Sequence, residues 1–168
     1  MKLGVLVSGR GTNLRNLIDR EFEVVAVATN RAGCPGAQLA LERGIPLGVF
    51  AQKRFASAAE RDTAMAAWLV SRGVELVVAA GWDRVLTGAF VSAFPNRILN
   101  IHPSLLPAFA GGMDAVDAGP ILLQAAVPVL DGDTVESLHA RIQREEHRIL
   151  PEAIRLMQAN AEARAGLG

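Results

Sequence analysis

At 168 residues, with 51% hydrophobic and 20% charged positions, the chain has the composition of one compact globular domain and not of a disordered segment. The 17 basic residues balance the 17 acidic ones, so no broad field draws nucleic acid or an anionic membrane, and any anionic ligand must be met locally. A single cysteine, Cys34, excludes a disulfide framework and fits a reducing compartment.

The opening "MKLGVLVSG" is too short an apolar run for a signal peptide, and no stretch approaches the ~18 apolar residues of a membrane-spanning helix. A soluble, cytoplasmic protein is expected. In chain order, "KLGVLVS" (2–8), "EVVAVAT" (23–29) and "PLGVF" (46–50) are rich in Val or Leu without clean alternation, as in strands buried on both faces of a parallel sheet. Between them, "TNLRNLIDR" places Leu14, Leu17 and Ile18 on one helical face, and "GAQLALERG" ends on Gly44. A longer helix is predicted over 56–72, closed by Gly73. A fourth strand follows at 74–81 and a fifth at 96–101. Alternation of this kind predicts βαβ units in a doubly wound, mostly parallel α/β sheet flanked by helices, one domain over 1–168.

After Pro107 the order changes. "PILLQAAVPVL" (120–130) reads as an edge strand carrying proline. Asp133 and Glu136 then fit a capping box, Val135, Leu138, Ile142 and Ile149 fit an apolar stripe, and Pro151 is expected to kink or divide the helix.

Two stretches carry chemistry. "SGRGTNL" (8–14) follows a strand and opens a helix. Gly9 and Gly11 let the backbone turn tightly, Thr12 or Asn13 can cap the helix, and free backbone N–H groups there suit a phosphate. The same residues also fit a plain connecting turn. The dinucleotide fingerprint fails, because its third glycine falls on Leu14, and a Walker A loop is absent. The second stretch is "ILNIHPSLLPAF" (98–109). Asn100 and His102 are two apart, so on a continuing strand they face one side, and a carboxamide with an imidazole suits oxyanion stabilisation and proton transfer. Alone, such a pair fits better as partners for backbone groups at a strand end.

"NIHPSLLP" resembles the hallmark of the folate-dependent formyltransferases, and "SGRGTN" resembles the phosphate loop of the branch acting on 5′-phosphoribosylglycinamide. The similarity continues through "LVVAAGWDRVLTGAFV" (76–91), "DAGPILLQAAVPVL" (117–130) and "ARIQREEHRILP" (140–151). It implies the formyltransferase fold, with a phosphate-binding half over about 1–100 and a folate and catalytic half over about 76–151. It also implies formyl transfer from 10-formyltetrahydrofolate, a cosubstrate, to the substrate amine in purine biosynthesis. By the same resemblance Gly11, Thr12 and Asn13 hold the phosphate, and Pro103 meets the glycinamide end. Gln143 and Glu146 reach the ribose hydroxyls, Arg84, Val85 and Leu86 line the folate pocket, and Asn100, His102 and Asp117 form the catalytic set. Gln143 and Glu146 are three apart on a predicted helix and share a face, which fits holding two hydroxyls.

The expected partners are those two small molecules, with no nucleic acid, membrane or metal, in a monomer or homodimer. His139 and His147, with no cysteine nearby, read as surface histidines, and Trp82 fits either the folate border or ordinary packing. A carboxylate at Asp117 beside His102 would favour imidazolium. Only "AFAGGMDAV" separates Pro107 from Asp117, where the family has a far longer connection containing a further strand, and an omitted stretch is expected there rather than a true deletion. Rival readings are another formyltransferase, a formyltetrahydrofolate hydrolase, and a non-catalytic nucleotide-binding α/β module.

Overall fold

The computed structural model describes residues 1–106 and 119–166. Its strands are β1 Leu3–Val7, β2 Val24–Thr29, β3 Leu47–Val49, β4 Leu76–Ala79 and β5 Ile98–Asn100. Its helices are α1 Thr12–Asp19, α2 Pro35–Glu42, α3 Ala58–Ser71, α4 Gly88–Ala93 and α5 Val135–Ala165, with a 3₁₀ turn at Gln52–Arg54. The strands form one parallel sheet in the order β3-β2-β1-β4-β5. The chain winds from β1 out to β3, then returns across the sheet to β4. Strand order therefore reverses between β1 and β4, and in open α/β sheets ligands bind beyond the carboxyl ends of the strands at such a point.

Pleating divides the core. Leu3, Val5 and Val7 of β1 join Leu14 and Leu17 of α1, Leu39 of α2 and Leu150 and Ile154 of α5 on one face. Leu6 joins Met65 and Leu69 of α3 and Phe90 and Phe94 of α4 on the other. Truncating a ring such as Phe90, which has no exposed surface, would cost about 3–5 kcal/mol. The doubly wound parallel sheet predicted from the alternating apolar runs is thus present, with each strand one or two residues shorter at its ends. Gly44 and Gly73 follow the last helical residues of α2 and α3, as expected.

Several expectations fail in the C-terminal third, and α4 had not been anticipated. Residues 120–130 form no strand: among the described residues β5 pairs only with β4, and Pro120 and Pro128 lack the N–H that a ladder needs. The N-cap of α5 is Thr134, which exchanges hydrogen bonds with Ser137, and not Asp133 with Glu136. Asp133 is otherwise engaged, accepting from Arg141 at 2.7 and 2.8 Å and from the Leu130 N–H at 2.8 Å. Arg141 and the Leu130 amide hold its carboxyl well below the usual range. Val135 is 81% exposed, so the buried stripe of α5 lies further along, at Leu150, Ala153 and Ile154. Pro151 does not divide the helix, because the carbonyl it leaves without a helical donor, that of His147, receives the Asn16 side chain instead.

Candidate active site at the sheet's carboxyl edge

The loop after β1 runs into α1 through Gly11, whose φ of +69° lies in the left-handed region. A side chain there would also place a Cβ 2.5 Å from the Gly36 Cα. Glycine is required twice over: by the backbone conformation and by the close approach of α2. The Gly36 N–H donates to Gly9 O at 3.0 Å, so the starts of α1 and α2 meet at this loop. Neither helix has a side-chain hydrogen bond at its N-cap, which leaves the opening amides without a side-chain acceptor there, as an anion site requires.

Thr12 and Asn13 do not cap α1, contrary to expectation. They turn to α5 instead: Gln143 Nε2 donates to Thr12 Oγ1 at 2.7 Å, and Asn13 Nδ2 donates to Glu146 Oε2 at 3.0 Å. Arg10 contacts His139 through its guanidinium, which adds a third link between the loop and α5. The structure thus brings Gly11, Thr12, Asn13, Gln143 and Glu146 together. Asn13 is 6% exposed, and its Oδ1 has no partner among the described residues. His139 is exposed, but His147 is half-buried and no surface residue. Burial pushes its imidazole below the ordinary value, opposed by Glu146 and assisted by Arg20.

At the far side of the crevice β5 ends on Asn100, while Ile101 N–H still bonds Ala79 O at 3.2 Å. His102 therefore lies just beyond the strand. A cavity of about 980 Å³ opens between β5, the 119–129 segment and α5, lined by Asn100, His102, Pro103, Glu145, Glu146 and Ile149. That volume is at the upper end for small-molecule sites. Leu106 N–H donates to Gln124 Oε1 at 2.6 Å and closes one rim. Asp117 and the short connection lie in 107–118, outside the described residues.

The sequence profile of the family described as formyl transferase matches residues 1–116 and 112–154. The chain belongs to the formyl transferase family.

Among relatives of this formyl transferase, the phosphoribosylglycinamide formyltransferase of Haemophilus influenzae is 36% identical over 181 residues, covering 92% of this chain and 85% of its own. The trifunctional purine biosynthetic protein adenosine-3 of Gallus gallus is 40% identical, covering 96% of this chain. The chain spans only 19% of that protein's length. Their alignment runs over 188 positions against a chain of 168, so the relative carries residues with no counterpart here. A crystal structure of glycinamide ribonucleotide transformylase 1 from Symbiobacterium toebii superposes with a TM-score of 0.87 at 43% identity, covering 95% of this chain and 88% of its own.

In this formyl transferase the 84–86 segment is divided. Arg84 and Val85 are exposed and Leu86 is 2% exposed. What holds the segment was missed in the sequence. Arg61 and Asp62 of α3 form an ion pair with side chains only 3% and 0% exposed. Arg61 donates to Asp62 Oδ1 at 2.8 Å, to Gln52 Oε1 at 3.0 Å and to Val85 O at 3.1 Å. Asp62 Oδ2 accepts the Thr87 N–H at 2.7 Å. Arg61 and Asp62 fall in the first turns of the helix predicted over 56–72, whose sequence pattern does not mark them as buried. Trp82 packs against the α3 side of the core with Arg61 over its ring at 5.9 Å, which favours the packing role.

Proposed function

We propose that this chain transfers a formyl group from 10-formyltetrahydrofolate to the amino group of 5′-phosphoribosylglycinamide. Family membership supports formyl transfer as the reaction class. One observation carries the choice of acceptor. The uncapped loop after β1 meets Gln143 and Glu146, which pairs an anion site with a polar, hydroxyl-holding helix face, while Glu146 also lines the cavity that contains Asn100 and His102.

In this reading the phosphate rests on the amides opening α1, and Gln143 and Glu146 take the ribose hydroxyls. Pro103 faces the glycinamide end. Folate lies against the backbone of Arg84, Val85 and Leu86, with the formyl group toward Asn100 and His102. The acceptor nitrogen attacks the formyl carbon. A C–N bond forms, the carbonyl electron pair moves to oxygen, and the tetrahedral intermediate carries a negative oxygen beside a positive nitrogen. The Asn100 amide and the His102 ring donate hydrogen bonds to that oxygen. The acceptor nitrogen then loses a proton, the folate nitrogen gains one and leaves, and the carbonyl re-forms. Asp117, through water, is assigned the proton's passage between the two nitrogens. Holding both substrates in one crevice supplies much of the remaining acceleration.

The test is a formyl-transfer assay of the purified chain, with phosphoribosylglycinamide as acceptor and water or other amines as controls. Formylated glycinamide as the product is expected. Hydrolysis of the folate alone, or binding without turnover, would overturn the assignment.

A further inference from the structure

Asp83 immediately precedes the segment assigned to folate, and besides an ion pair with its neighbour Arg84 at 3.7 Å it makes contacts that run the other way. Its N–H donates to Ser8 Oγ at 3.1 Å, and Ser8 N–H donates to Gly81 O at 3.0 Å. Asn30 Nδ2 donates to Asp83 Oδ1 at 2.6 Å, and the Arg31 guanidinium pairs with Oδ2. Ser8 is the last residue before the glycine loop. Asn30 and Arg31 follow β2 and lead, through a turn closed by Cys34 N–H to Arg31 O, into the start of α2 that abuts Gly9 and Gly11. One residue therefore gathers the carboxyl ends of β1, β2 and β4 across the point where strand order reverses: its N–H holds Ser8 after β1, and its carboxylate holds Asn30 and Arg31, which lead from β2 into the helix start that abuts the glycine loop.

Stability does not account for this arrangement. The side chains of Arg31 and Asp83 are 58% and 36% exposed, and ion pairs so wet contribute little. Burial would raise the Asp83 carboxyl, but Asn30, Ser8, Arg31 and Arg84 together hold it below the ordinary range, so it is charged at neutral pH. The segment is then fixed at two ends: Asp83 to the phosphate-loop side, and Val85 and Thr87 to the buried Arg61-Asp62 pair.

We propose that Asp83 is a positioning residue that sets the 84–86 segment relative to the loop after β1, so that the two bound substrates meet in register. This rests on the formyl-transfer reading above. Each loop still binds its own ligand without Asp83, held by its remaining contacts. What is lost is the alignment of one site with the other, and group transfer between two bound molecules is steeply sensitive to a displacement of about 1 Å.

The experiment is steady-state kinetics with both substrates varied, on the wild type and on Asp83→Ala, Asp83→Asn, Arg31→Ala and the Asp83→Ala/Arg31→Ala pair, with thermal unfolding in parallel. The expected result is a kcat lowered about 10-fold or more in Asp83→Ala, with both KM values within about 3-fold of wild type. The Tm should stay within about 3 °C, as for an exposed pair. Asp83→Asn, which keeps an acceptor for Asn30 without the charge, should fall between. The double variant should be no slower than the worse single one, because both changes break one link. An unchanged kcat in Asp83→Ala and Asp83→Asn, a loss confined to one KM, or multiplied losses in the double variant would overturn the proposal alone. A wild type that binds both molecules without transferring formyl would overturn the functional reading and this one with it.

Discussion

Asn16 Nδ2 donates at 2.9 Å to the backbone oxygen of His147, the one carbonyl in α5 that Pro151 deprives of its helical donor. A helix-breaking residue is thereby tolerated mid-helix because a side chain from α1 supplies the missing bond. Asn16→Ala should destabilise the fold by about 1–3 kcal/mol, since it leaves a part-buried carbonyl unpaired. In a Pro151→Ala background, where residue 151 provides an N–H of its own, the same change should cost much less. A double-mutant cycle in urea measures the difference, and equal losses in both backgrounds would refute the link.

The buried Arg61-Asp62 pair should behave asymmetrically. Asp62→Ala strands a guanidinium inside the α3 layer and is expected to cost about 3–5 kcal/mol. Replacing both residues by Leu and Met removes the charges together and should cost clearly less. Denaturant unfolding of the two variants decides it, and equal losses would mean that the pair is not coupled.

How much of this was legible beforehand follows range along the chain. The glycine loop, the parallel sheet and the Gly44 and Gly73 helix ends were readable, because each depends on residues within a few positions of one another. By position Thr12 and Asn13 suit caps, but their partners, Gln143 and Glu146, lie in the last helix and leave no local trace. Asp133 looked like an N-cap by spacing, but Arg141 and Leu130 claim it. The 120–130 run has the composition of a strand and forms none, because composition does not say whether a partner strand stands beside it. For the candidate site, resemblance proposes the residues, whereas the tethers at Arg61, Asp62 and Asp83 carry no signal in the sequence.

His102→Ala and Asn100→Ala should each lower kcat about 10²–10³-fold with little change in Tm, as for the loss of one oxyanion donor. Turnover and melting temperatures measured together check this. Near wild-type rates in both variants would remove the proposed mechanism.

Gly11→Ala should act on the fold and not cleanly on binding. Its Cβ would fall 2.5 Å from the Gly36 backbone at a φ of +69°, so a loss of Tm is expected before any kinetic effect can be read. Gln143→Ala is the better probe of the phosphoribosyl side. Loss of about 1 kcal/mol of hydrogen bonding predicts a KM about 5-fold higher for phosphoribosylglycinamide, with the folate KM unchanged. A shift in the folate KM alone would reverse the assignment of the two sides.

Acid should weaken the fold through His147. Burial lowers its folded-state value, so the neutral ring is favoured in the native protein. That contribution is complete above the unfolded value near 6.5 and is lost as pH falls through the lower folded value. Wild-type Tm should thus drop between about pH 7 and pH 5 by more than that of His147→Leu. Parallel melting curves across that interval measure it, and identical slopes would exonerate the ring.

The contacts of Arg10, Thr12, Asn13 and Asn16 with His139, Gln143, Glu146 and His147 join the loop after β1 and the first helix to the last helix. On the ribosome these partners emerge far apart in time, at about 5–20 residues per second. The nascent sheet can assemble early, but the loop after β1 stays without its α5 contacts until that helix has been synthesised and docked. A polypeptide released prematurely, before residue 139, would keep the glycines of the loop and lack the α5 partners of Arg10, Thr12 and Asn13.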